Sequence, residues 1–142
     1  RESFKKDLAR MIRDSKNAAF KDQIYYALAD MEIRNGDIAQ GKVYLTQSAF
    51  YSVNNKRQKG MAYEKLGDMS FAKRNYVSAQ KYYDSCANVI ADTYPNAEAI
   101  RNKASNLADL VVAVETATYE DSVQRIAALS EGDRDNFLKD YI

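Results

Sequence analysis

The tetrapeptide Leu28-Ala29-Asp30-Met31 returns 38 residues later as Leu66-Gly67-Asp68-Met69. Laid over one another at that offset, the two stretches also share Tyr25 with Tyr63 and Tyr44 with Tyr82. Small residues coincide at Ala29 and Gly67 and at Gly41 and Ala79, and apolar ones at Ile33 and Phe71 and at Ile38 and Tyr76. A unit of that length is too small to bury a core alone, so successive copies must stack on one another. The chain holds one proline and five glycines, and no two-residue alternation persists. The stacking units are therefore helical, and the fold class is all-α.

Apolar spacing places the helices. Phe4, Leu8, Met11 and Ile12 form one stripe, predicting a helix over about 3–14 that ends near Asn17. Phe20, Ile24, Ala27, Leu28 and Met31 carry a second to about Arg34. There Asn35-Gly36-Asp37 supplies a terminating glycine and then a capping aspartate for a third helix reaching Tyr51. A fourth follows the Asn54-Asn55 loop, from Arg57 to Lys73. Tyr76, Ala79, Tyr83, Cys86 and Ile90 outline a fifth, which Tyr94-Pro95-Asn96 stops. Beyond it, Ile100, Ala104, Leu107, Val111 and Val114 predict a helix of about 20 residues. A shorter one around Val123, Ile126 and Ala127 comes next, and a last one opens at Ser130 with Phe137, Leu138 and Tyr141 inward.

An aromatic, then leucine and a small residue, then a small residue in the second helix with a large one four later, is the tetratricopeptide pattern. Here the set is Tyr25, Leu28, Ala29, Gly41 and Leu45, then Tyr63, Leu66, Gly67, Ala79 and Tyr83. The expectation is a right-handed α-solenoid of tetratricopeptide-like (TPR-like) hairpins, about seven to eight helices in one domain over 1–142. Its repeat units span about 22–55 and 60–93. Residues 3–14 supply the second helix of a preceding unit, and 96–142 cap the far end. The usual period is about 34, so about one helical turn is added near Asn55–Lys59. The repeats are degenerate: Glu32 and Ser70 stand where an aromatic is common, and the terminal proline is missing at Val53 and Ala91.

Histidine is absent, which removes Ser-His-Asp and Cys-His catalysis and the usual zinc sites. No glycine-rich phosphate loop exists. Cys86 reads as a small core residue, and the Lys56-Arg57-Gln58-Lys59 cluster as a solvated helix start. The chain is therefore expected to be no enzyme and to need no cofactor or metal. With 21 basic and 20 acidic residues, no net field draws it to nucleic acid or to an anionic surface. No apolar run spans a bilayer. The charge is nevertheless uneven, with seven acids against three bases in 115–142.

The repeated aspartates lie about 200° around their helices from Leu28 and Leu66, on the side a first helix leaves open. With Gln23, Tyr26, Arg34, Glu64 and Phe71, Asp30 and Asp68 make a candidate groove for a peptide or partner helix.

Several strings go beyond the generic repeat: Asp22-Gln-Ile-Tyr-Tyr-Ala-Leu-Ala29, Tyr82-Tyr-Asp-Ser85, Tyr94-Pro95, and EDSVQRIAALS at 120–130 with Asp133-Arg134. They resemble the tetratricopeptide lipoprotein of the Bacteroidetes gliding-motility and type IX secretion machinery, from about residue 3 to residue 141. The resemblance implies an internal segment of a lipoprotein on the periplasmic side of the outer membrane, its lipid-bearing cysteine outside this chain. It also implies protein partners within the secretion machinery and no catalytic residues. The alternative is a peptide- or ligand-sensing repeat domain of a regulatory protein.

Overall fold

In the computed structural model, residues 2–128 and Gly132 are described. Among them are six α-helices, one 3-10 helix and no strand: α1 Glu2–Arg13, the 3-10 turn Ser15–Phe20, α2 Lys21–Arg34, α3 Ile38–Tyr51, α4 Lys56–Ala72, α5 Tyr76–Val89 and α6 Ala97–Ala128. The count is six rather than seven to eight. The two helices expected on either side of Glu115–Ser122 are one, because nothing there breaks a helix. Thr118 and Ser122, poor helix formers in isolation, donate their hydroxyls to the carbonyls of Val114 and Thr118 and so stay within it. The helix expected from Ser130 lies outside the described residues.

The 38-residue period is written into the backbone. After α2 the chain turns through Gly36 at φ 89°, with its N–H donating to Ile33 O and that of Asp37 to Glu32 O. After α4 the same two bonds run from Arg74, at φ 60°, to Phe71 O and from Asn75 to Ser70 O. Each is a Schellman closure with a left-handed residue that satisfies the last helical carbonyls. Asp37 and Asn75 then cap α3 and α5 by accepting from the N–H groups of Gln40 and Ser78. Turns this tight fold α2 against α3, and α4 against α5, as antiparallel pairs.

Within each pair the small residues set the approach. A methyl added at Gly41 would stand 2.5 Å from Ile33 Cγ1, and one at Gly67 would stand 2.7 Å from the Tyr83 ring. Ala29 and Ala79 are wholly buried. Deeper in each hairpin the Ser48 hydroxyl donates to Asp22 O at 2.7 Å, and the Cys86 thiol to Gly60 O at 3.3 Å. Those two bonds are the same bond one period apart, each spanning 26 residues.

The chain divides into two compact units, Arg1–Leu107 and Ala108–Ile142. In the first, apolar clusters follow the chain. Leu8 joins Ile24 and Leu28; Ala29 and Leu45 meet Leu66; Ala79 and Tyr83 meet Ala104 and Leu107; Cys86 and Ile90 meet Tyr94 and Ile100. The two odd positions of the repeat are also inside. Glu32 is 4% exposed and pairs with Lys5 of α1 at 2.5 Å, while the Ser70 hydroxyl, 3% exposed, has no hydrogen-bond partner among the described residues. In the second unit, α6 from Ala108 onward leaves Leu110, Val112, Val114, Tyr119 and Val123 exposed.

Candidate functional site

Three parts of the first unit converge on one cavity of about 420 Å³. Tyr26 enters from α2; Arg57, Met61, Glu64, Lys65 and Asp68 come from α4; Tyr94, Pro95 and Asn96 come from the α5–α6 connection. The α4 residues recur at three- and four-residue steps, which puts them on one face of that helix.

Hydrogen bonds fix the acidic side chains. Tyr94 donates its hydroxyl to Glu64 Oε1 at 2.7 Å, and Tyr83 donates to Asp68 Oδ1 at 2.5 Å. Burial, reinforced by those carboxylates, holds both phenols far above their ordinary range. Tyr26 is raised as well, first by burial and then by Asp30, Glu64 and Asp68. Asp30 sits beside the cavity rather than in it: it pairs with Arg34 at 3.0 Å and with Lys65 at 3.3 Å. The Lys65 ammonium lies 5.9 Å from the Tyr26 ring centre, and the Arg57 guanidinium 5.7 Å from that of Tyr94. Cations at such distances are drawn to the ring faces.

Of the candidate groove residues, Tyr26, Glu64 and Asp68 line this cavity, and Asp30 reaches it through Lys65. Arg34 belongs elsewhere, lining a smaller depression of about 210 Å³ with Phe4, Met31 and Asn35. Phe71 packs edge-on against Tyr76, with ring centres 5.6 Å apart. Gln23 is exposed at the start of α2 and lines none of the cavities described. Arg57, Met61, Lys65 and Tyr94 are the residues that sequence reasoning missed. Met61 and Lys65 stand one helical turn from Glu64 and Asp68, and Arg57 two turns before Glu64, so the α4 periodicity held the signal. Tyr94 gave none beyond its place before proline.

No protein-family model and no curated protein matches this chain. Its site must be read from its own chemistry. Cys86 is buried, and its thiol is pushed up to about 12, first by burial and then by Glu64, so it remains a protonated, unreactive core group. Among the described residues, no three His, Cys, Asp or Glu side chains are grouped to hold a metal ion. No described helix is long and apolar enough to cross a membrane.

Proposed function

We propose that this chain is a non-catalytic protein–protein interaction scaffold, a stretch of right-handed solenoid built from TPR-like hairpins. The observation that carries this reading is the cavity drawn from α2, α4 and the residues leading into α6. First helices of successive hairpins, together with the entry to the next, contribute to one surface. Such a surface suits an extended or helical segment of another protein. Support for the repeat reading comes from the Schellman turns, caps and buried carbonyl bonds that recur at one period.

In the same proposal, the resemblance to the type IX secretion lipoprotein makes the chain an internal, periplasm-facing segment of an outer-membrane lipoprotein. Its partners are components of the secretion and gliding machinery. The test is capture from native envelopes by the wild-type chain and by Met61→Arg, which fills the cavity with a charged side chain. A partner retained by wild type and lost by the variant, at equal helicity and melting temperature, supports the proposal. Equal capture by both puts binding on another surface.

A further inference from the structure

The charges around the cavity are not equivalent. Glu64 and Asp68 stand one helical turn apart on α4 and both line it. Each uses one carboxylate oxygen to accept a tyrosine hydroxyl, and neither pairs with a basic side chain among the described residues. The resident cations are differently placed. Lys65 is held by Asp30, and Arg57 lies over the Tyr94 ring. Two half-satisfied carboxylates therefore share a space walled by Tyr26, Met61 and Tyr94.

Resting on the scaffold reading above, we propose that this cavity receives a lysine or arginine side chain presented by a segment of a partner protein. The aliphatic stem of such a side chain packs against methionine and tyrosine while its charged head reaches the carboxylates. A volume of about 420 Å³ accommodates one long side chain with its hydration water. The complementarity also excludes. An incoming carboxylate would meet Glu64 and Asp68, and an apolar side chain would strip water from them without replacing a hydrogen bond. Charge at this point thus sets which segment the groove accepts.

The test is selection of a random-peptide library on three proteins: wild type, the double variant Glu64→Gln/Asp68→Asn, and Met61→Arg. Glutamine and asparagine still accept from Tyr94 and Tyr83, so the double variant keeps the fold, checked by its melting curve. The expected result is wild-type enrichment of sequences carrying Lys or Arg at one fixed position. A selected peptide should bind the double variant about tenfold or more weakly, and replacing its basic residue by citrulline or norleucine should produce the same loss. Enrichment of acidic or uncharged sequences, lost on Met61→Arg, overturns the cationic occupant while leaving the scaffold reading intact. Enrichment indifferent to Met61→Arg overturns the cationic occupant and puts binding on another surface. Self-association of the chain that the double variant abolishes would make a second copy the occupant and overturn the partner segment.

Discussion

Gly67→Ala is the sharpest probe of how the second hairpin closes. In an ordinary helix interior the change would stabilise, since alanine is favoured over glycine by about 1 kcal/mol. Here the new methyl would stand 2.7, 2.8 and 3.1 Å from Cε1, Cδ1 and Cζ of Tyr83. A flat ring met along three atoms cannot rotate out of the way, so it must move, and overpacking of this kind costs about 1–3 kcal/mol. Displacing the ring also loosens the 2.5 Å bond from Tyr83 to Asp68, a further loss of about 1 kcal/mol. The net effect is destabilisation by about 1–3 kcal/mol, a fall in melting temperature of roughly 5 °C or more. Urea denaturation followed by far-UV circular dichroism measures it. Gly41→Ala, whose methyl meets only the movable Ile33 side chain and the Ala29 carbonyl, should lose less. In a Tyr83→Leu background the alanine should become neutral or stabilising. If Gly67→Ala alone proves as stable as wild type or more so, the close packing of α4 on α5 is wrong.

Three more perturbations act on separate features. Arg74 holds a left-handed conformation that glycine holds at the equivalent Gly36, so Arg74→Gly should stabilise by about 0.5–1 kcal/mol. An unchanged or lower urea midpoint counts against that geometry. Tyr83 and Tyr94 have folded-state pKa values raised above the ordinary 10.0, so the folded chain keeps protons that the unfolded chain releases. Their contribution is whole below pH 10 and is lost as pH climbs beyond it. Urea midpoints from pH 8 to 11 should therefore fall less steeply for Tyr83→Phe/Tyr94→Phe than for wild type, and parallel curves would refute the assignment. Lys5→Met leaves the Glu32 carboxylate buried without its cation and should destabilise. Adding Glu32→Gln should recover part of the loss, and a thermal melt showing no recovery would mean that the pair is not what ties α1 to α2.

What the sequence revealed and what it hid have physical causes. The hairpins were legible because helix contacts at Ala29, Gly41, Gly67 and Ala79 tolerate only small side chains, leaving a mark at fixed spacing. The turn at Asn35-Gly36-Asp37 announced itself through glycine, whereas its counterpart was concealed because Arg74 adopts the same left-handed geometry without being glycine. Apolar spacing divides α6 into two helices because no apolar stripe bridges Glu115–Ser122, while the hydroxyls of Thr118 and Ser122 bond back to their own helix and leave it continuous. In the candidate site, Glu64, Asp68 and Tyr26 followed from helix phase. Tyr94 did not, since its hydroxyl meets Glu64 from 30 residues away and no local pattern encodes such a contact. Lys5 was hidden for the same reason: only the packing of α1 on α2 explains why an acid occupies the aromatic position at Glu32.

The claim on which the functional account stands is that partners bind on the face formed by α2, α4 and the entry to α6. Site-specific photo-crosslinking in the native host tests it directly, with a benzophenone side chain at Arg57, on the cavity rim, or at Val43, exposed on α3. A discrete adduct to another protein from position 57 and none from position 43 is the predicted result. Adducts from position 43 alone, or from neither position, would contradict it.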